Sequence, residues 1–475
     1  MLIQPMRTSR LTILALTATA AAALLPTTAQ AGPNRFDTGL DDHRLLTNTA
    51  QIVNHTRNLG TRFYRINLGW AGTAPAAPAD PANPASSAYN FSTTDQLVQT
   101  AVANGLIPYI TITGAPQWAQ QGTPPKSANA GATAWRPDPA AYAEFAKAAA
   151  ARYSGNFTPS GAGLPLPRVT HWQAWNEPNL SIFLAPTSSD LYRALLNGFH
   201  DAVKSVQPDA LVISAGLAPV RSSSAAEYPK AMAKELLCVK EGKGGFVRRP
   251  ACTPARFDIF SVHPYSLRAK PNQRAAYEGN MFVADVVDIG KMLERAQKLK
   301  TVSPGAKQLW STEFAWITNP PNKSVGDAPG LAGVRTAVAL FKLWHAGVSQ
   351  VTWHQLTRVP QTPSSITIDG GELLDTNGRA KPTYDALRFP FYVQTRGKRN
   401  RLGYLWGRAP FGNANKVLIR RYARGHSYRT VYRIKPNANG VFTLRFKNRS
   451  KRAGTYYAVQ RGVESLPLHS RQAFE

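Results

Sequence analysis

The sequence predicts an α/β protein: a (β/α)8 barrel of the TIM type followed by a small C-terminal antiparallel β-sandwich. Three observations predict it. Short apolar strands alternate with longer amphipathic segments, which argues a parallel sheet joined by helical crossovers. Eight such units fit within roughly 360 residues, the span of a barrel with insertions. After about Tyr392 the texture changes to short β-branched and aromatic runs separated by turn residues. An open doubly wound sheet competes with the barrel, but it announces itself by a Gly-rich phosphate loop after its first strand, and this chain has none there.

Taken in order, FDTGL (36–40) is a weak first strand, and 45–58 carries apolar residues at helical spacing. TRFYRINLGW (61–70) is β-branched and aromatic, a second strand. Residues 73–87 are too rich in proline for helix or ladder. Helix 93–104 stops at Gly105 in the C-cap role, and LIPYITITG (106–114) is the third strand. An Ala-rich helix at 138–153 precedes the fourth strand, RVTHWQAW (168–175). Helix 190–206, strand 210–216, helix 225–237, strand 257–263, helix 281–300, strand 308–314, helix 333–346, strand 349–355 and a closing helix at 382–387 complete eight units. KVLIRRYA, SYRTVYRI, GVFTLRF and TYYAVQR then read as strands of the sandwich. The domain plan is 1–31, 32–392 and 393–475.

The first of these pieces is a targeting segment. Arg7 and Arg10 precede LTILALTATAAAALL, and Ala29-Gln30-Ala31 supplies a small-residue cleavage site, the pattern of a secretory signal peptide. No later run is apolar enough to span a membrane. The expected location is therefore extracellular, with cell-wall association open. The chain has two cysteines, Cys238 and Cys252, which in an exported protein read as one disulfide. They cannot build a four-thiolate zinc site, and no histidines cluster at metal spacing, so no metal is expected.

At 475 residues, 43% apolar and 10% aromatic, the chain can bury a sizeable core. Its formal charge of +29 is uneven: residues 396–475 hold 19 Lys/Arg against Glu464 and Glu475, a local +17. That field draws anionic polymers. The partners it suggests are an anionic cell-wall polymer or acidic polysaccharide, with a merely solvated basic face as the alternative. Nucleic acid is not expected for an exported chain.

In a barrel of this type the chemistry sits at the C-terminal ends of the strands. Those ends offer Arg65 and Asn67 on strand two, Asn176-Glu177 after strand four, His263-Pro264-Tyr265 on strand six, Glu313 on strand seven, and Trp353 and His354 on strand eight. Two glutamates thus face one mouth. Acetal hydrolysis needs such a pair, one carboxyl to donate a proton and one carboxylate to attack or stabilise the sugar carbon. Arg65 is placed to keep a carboxylate ionised, Tyr265 to donate to it, and Asn176 to bind a sugar hydroxyl. Trp118, Trp316 and Trp353 would offer faces to sugar rings; Trp175, another candidate face, and Trp310 suit packing better.

WNEP after strand four, HPY on strand six, WSTEF on strand seven and TWHQ on strand eight resemble the retaining glycoside hydrolases of clan A, families 39 and 5 above all. GAPQWA and GELLDTNGRAKPTYDAL are similar to that group too, and the resemblance covers about 36–391. It implies that Glu177 is the acid/base and Glu313 the nucleophile, about 5 Å apart. It further implies that Asn176 binds the 2-hydroxyl and that His263 and Tyr265 orient substrate and nucleophile. Arg65 matches the strand-two arginine, with Arg62 as its rival if the register slips. The function it implies is cleavage of O-glycosidic bonds in a poly- or oligosaccharide by double displacement, without a cofactor. A transglycosylase, or a non-catalytic carbohydrate-binding protein on a barrel scaffold, are the alternatives.

Overall fold

A computed structural model describes residues 32–125, 130–267, 269–305, 307–358, 369–423 and 427–471. The segment read as a signal peptide lies outside the described residues. Gly32–Glu475 form one compact unit.

Eight parallel strands close into a barrel in the cyclic order β1-β2-β3-β4-β5-β8-β9-β10. They are β1 (Asp37–Asp41), β2 (Phe63–Gly69), β3 (Ile107–Thr113), β4 (His171–Ala174), β5 (Leu211–Ile213), β8 (Ile259–Val262), β9 (Gln308–Phe314) and β10 (Val348–His354). The missing numbers belong to a hairpin, β6 (Val239–Gly242) and β7 (Gly245–Arg248), in a stretch between helix 225–237 and strand 257–263 where the sequence predicts no element. The disulfide between Cys238 and Cys252 ties the two ends of this hairpin together, with Cα atoms 5.6 Å apart.

The crossovers are helical: α1 (Thr49–Leu59), the single turn α2 (Trp70–Thr73), α3 (Ser92–Ala103), α4 (Pro139–Arg152), α5 (Ser189–Val206), α6 (Pro229–Leu236), α7 (Val286–Leu299), α8 (Pro329–His345) and α9 (Pro382–Arg388). Local chemistry sets their ends. Asp138 caps α4 by accepting from the backbone N–H groups of Ala140 and Ala141, and Ser188 caps α5 through Leu191. Proline opens α4, α6, α8 and α9, where a missing N–H costs nothing. Gly60 ends α1 at φ 63°, a left-handed conformation that a side chain would strain.

Inside the barrel, alternation divides each strand. The lower layer is aromatic, with Phe63 and Trp310 4.9 Å apart and His171 5.5 Å from Trp310. Above it lies a polar layer. Thr111 donates to Gln173 Oε1 (2.8 Å), and Gln173 Nε2 donates to Thr312 Oγ1 (2.9 Å). The hydroxyls of Thr111, Ser261, Thr312 and Thr352 there all have partners, as burial demands.

The C-terminal segment forms two antiparallel sheets. One contains β11 (Phe391–Arg396), β12 (Leu402–Arg408) and β15 (Val441–Lys447). The other runs β14 (Ser427–Ile434), β13 (Val417–Ala423), β16 (Thr455–Gln460), β17 (Val463–Glu464), with β18 (Leu468–His469) also on β16. The first sheet packs on α8: Tyr392 stacks on Phe341 at 3.7 Å, and Trp406 lies 5.4 Å from Trp344. Buried Arg408 donates to the carbonyls of Leu59 (3.1 Å) and Gly60 (3.3 Å), fastening β12 to the end of α1.

Candidate active site

The stretch Trp175-Asn176-Glu177 leaves β4 with an unusual backbone. Trp175 has φ 70° and Glu177 φ 40°, left-handed values that cost a non-glycine residue on the order of 1–3 kcal/mol. Hydrogen bonds hold the turn in place. The Trp175 N–H donates to the Ile112 carbonyl (2.9 Å) and its indole N–H to the Phe183 carbonyl (2.9 Å). The Glu177 N–H donates to the Gly216 carbonyl (3.2 Å). The turn lifts the Glu177 carboxylate into the mouth, where its side chain is 13% exposed.

Glu313 arrives from β9 by another device. Val351 of β10 pairs with Ser311, but Trp353 pairs with Phe314, so the register shifts between them. This irregularity re-aims the strand end. Thr312 joins the polar layer inside the barrel, and Glu313 also reaches the mouth rather than the helix shell.

There the two glutamates meet. A Glu177 oxygen, a Glu313 oxygen and a His263 nitrogen lie within 4.8 Å of one another. His263, fully buried, sits 2.9 Å from Glu177 Oε1 through Nδ1, 3.6 Å from Glu313 Oε2, and 3.0 Å from Thr312 Oγ1 through Nε2. When Glu177 is ionised its oxygen can only accept, and Nδ1–H is then the donor; when Glu177 carries a proton, the same contact can run the other way. Gly216 makes room for this ring: a Cβ there would fall 1.9 Å from His263 Nε2.

Glu313 is surrounded by donors. Arg65 Nη1 contacts its Oε1, and the Tyr265 hydroxyl donates to its Oε2 (3.3 Å). Burial pushes its carboxyl up, but the charges of His263, Arg65 and His354 overcome that and draw it down to about 2. Burial and the nearby carboxylates push the Tyr265 phenol well above its ordinary value, so it stays a donor. Among the described residues no arginine or lysine pairs with Glu177. The two carboxyls therefore differ: Glu313 is held ionised by fixed charge, and Glu177 shares one imidazole.

Arg65 organises the rest. Its Nη2 donates to Asn176 Oδ1 (2.9 Å), which fixes the amide and turns its donor end away from the guanidinium. Its Nε donates to Thr111 Oγ1 (3.0 Å) and its Nη1 approaches Asp41 Oδ2 (3.3 Å). Arg62, the rival, precedes β2, is largely exposed and pairs with Asp37 at the opposite end of the strand.

The sequence reading missed Asp41. It ends β1, is fully buried, and accepts from Asn67 Nδ2 (3.2 Å) and from His354 Nδ1 (3.1 Å). Burial lowers the His354 pKa, but the Asp41 hydrogen bond and the charges of Glu313 and Asp41 raise it to about 9. Asp41 itself is pushed up by burial and pulled further down by His354 and Arg65, ending well below the carboxylate range. Asp41, Glu313 and His354 also lie close enough to bind a cation, yet Arg65 already occupies the space between the two carboxylates.

This charge pairing has a measurable consequence. A histidine raised from about 6.5 to about 9 on folding stabilises the fold fully below pH 6.5, and that stabilisation is lost as pH rises through 9. The loss is on the order of 3 kcal/mol. The melting temperature should therefore fall between pH 6.5 and 9, and H354N should flatten that part of the profile. Superimposable profiles would show that His354 does not titrate this way.

The tryptophans divide. Trp118, in the 3-10 turn after β3, is half-buried, with its indole N–H on the Ala74 carbonyl (2.8 Å) and its ring against Trp70. Trp353 is fully buried, contrary to its expected role as a sugar platform. Alternation explains the error: Thr352 and His354 point into the barrel, so Trp353 points into the helix shell, where it meets Phe314 and donates to the Gly371 carbonyl (2.8 Å). Trp316 is buried as well, bound to Asp327 (2.7 Å). Trp175 and Trp310 pack, as expected.

No protein-family model matches the chain, and no curated protein matches it by sequence. Solved structures do. A family 39 glycoside hydrolase from the gut symbiont Bacteroides cellulosilyticus WH2 is 18% identical over 87% of this chain and 80% of its own, with a TM-score of 0.54. A family 39 β-xylosidase from Caulobacter crescentus is 14% identical over 88% of this chain and 97% of its own, with a TM-score of 0.50. At these identities the likeness is one of architecture, and the chain shares its fold with these enzymes.

Proposed function

We propose that the protein is an exported glycoside hydrolase that cleaves O-glycosidic bonds of a poly- or oligosaccharide by double displacement with retention of configuration. The carrying observation is the approach of Glu177 and Glu313 oxygens to within 4.8 Å. Oxygens that close leave little room for a water between the two groups and suit direct attack by one carboxylate. The likeness to a family 39 glycoside hydrolase supports a sugar substrate.

In the first step Glu313 attacks the anomeric carbon while Glu177 gives its proton to the departing oxygen; the C–O bond to the leaving group breaks and an ester to Glu313 forms. In the second, Glu177 takes a proton from water, whose oxygen attacks the same carbon and releases Glu313. Arg65 and Tyr265 keep Glu313 ionised and oriented. His263 passes its hydrogen bond to Glu177 whenever that carboxylate is charged. The amide of Asn176 is set to donate to a hydroxyl next to the reacting carbon. The disulfide and the N-terminal apolar segment both support an oxidising, extracytoplasmic location.

A panel of aryl glycosides tests the reading. Hydrolysis of at least one, abolished by changing either glutamate, is the expected result. Saturable sugar binding with no turnover of any bound glycoside would instead make the protein a lectin-like binder.

A further inference from the structure

The two C-terminal sheets are not equivalent. The sheet of β11, β12 and β15 has both faces covered, one by α8 and one by the second sheet, where Phe446 meets Tyr432 (5.0 Å) and Tyr456 (6.1 Å). The second sheet therefore has a covered face and an outer one. Strand alternation and the pairing Leu418↔Arg433, Leu418↔Val459, Arg420↔Tyr457 and Tyr422↔Tyr428 identify the outer residues.

That outer face carries an aromatic cluster. Tyr428 lies edge-on to Tyr422 (5.2 Å) and to Tyr457 (4.6 Å). Tyr422 is 41% exposed and Tyr428 40% exposed, both high for tyrosine rings packed together, while Tyr457 is buried as the floor. Arg420 sits 6.0 Å above the Tyr457 ring and donates to its hydroxyl (3.2 Å). Arg433 is exposed on the same face, and Glu464, paired with Val459, is the acid beside them. Rigid rings cost little entropy to order, and guanidinium groups bind planar carboxylates in bidentate fashion.

We propose that this outer face binds an acidic polysaccharide, sugar rings lying on Tyr422 and Tyr428 while Arg420 and Arg433 pair with their carboxylates. The +17 charge of residues 396–475 gives the complementary field. The choice of a sugar polymer over a nucleic acid rests on the proposed glycosidase activity. Binding here would hold the barrel against an anionic matrix.

The test measures binding of polygalacturonate to the full chain at about 0.1 M salt, beside neutral hydroxyethyl cellulose and a single-stranded oligothymidylate. Polygalacturonate should bind in preference to both, and Y422A/Y428A should weaken it by about tenfold or more. R420Q and R433Q should each weaken it several-fold and lessen its salt dependence. Unchanged affinity in the tyrosine variant, or tighter binding of the oligothymidylate, would overturn the proposal. Should the double variant lose its folded circular-dichroism signal, the two arginine variants decide, and unchanged binding by both overturns it equally. Aryl-glycoside hydrolysis is followed in parallel: hydrolysis without polymer binding defeats this proposal alone, and binding without hydrolysis defeats the glycosidase reading alone.

Discussion

Replacing Glu313 by glutamine is expected to lower kcat on every substrate by on the order of 10⁴-fold or more, with the folded state preserved. Loss of a covalent nucleophile removes the reaction path rather than trimming it. In barrier terms this is about 5.5 kcal/mol or more. Folding should survive because Arg65 keeps Asp41 and Asn176 as partners, and glutamine still offers Oε1 to it. A smaller side chain tests the role more sharply. E313G leaves space on the nucleophile's side of the sugar, so added azide should restore turnover of an activated aryl glycoside. The new C–N bond would form from that side as the aryloxide leaves, and the glycosyl azide would have inverted configuration. An E313Q enzyme with near-normal kcat would remove Glu313 from the mechanism.

The loss in E177Q should depend on the leaving group. General acid catalysis contributes roughly 10²–10⁴-fold where the departing oxygen needs a proton. An alkyl glycoside or a disaccharide should therefore suffer that full loss. A dinitrophenyl glycoside, whose leaving group departs unprotonated, should lose little in its first step and then stall as the glycosyl-enzyme, because water is no longer deprotonated. The expected record is a burst of dinitrophenolate followed by slow turnover. Equal losses on both substrates would show that Glu177 acts on binding or folding instead. H263Q should fall between these cases, since it removes a hydrogen bond to Glu177 without removing the proton donor.

The sequence displayed the site wherever a polar residue ends an apolar strand. Glu177 and Glu313 stand out for that reason, and Arg65 stands out as a charge within a strand otherwise apolar at its start. Parity was the signal left unused. Thr352 and His354 share one face of β10, so Trp353 had to face the helices, and counting alternate residues would have favoured His354 over Trp353. Asp41 was lost by one residue, because the first strand was ended at Leu40. The register shift that turns Glu313 inward leaves no mark in composition, since it depends on pairing between β9 and β10. The hairpin β6–β7 was read as loop because its strands are short, charged and exposed, with no apolar alternation to betray them. Strand β5 is three residues where seven were expected, as its apolar run continues past the ladder into the turn that receives the Glu177 N–H.

In the proposed mechanism Glu313 attacks the anomeric carbon from one side, and Glu177 protonates the oxygen that leaves from the other. The most direct measurement is the configuration of the first-formed product, followed by proton NMR in the first minutes of hydrolysis of an aryl glycoside, before mutarotation. The initial anomer is expected to match the substrate's. An initial anomer of opposite configuration would mean that water attacks directly, and that Glu313 forms no bond to the sugar.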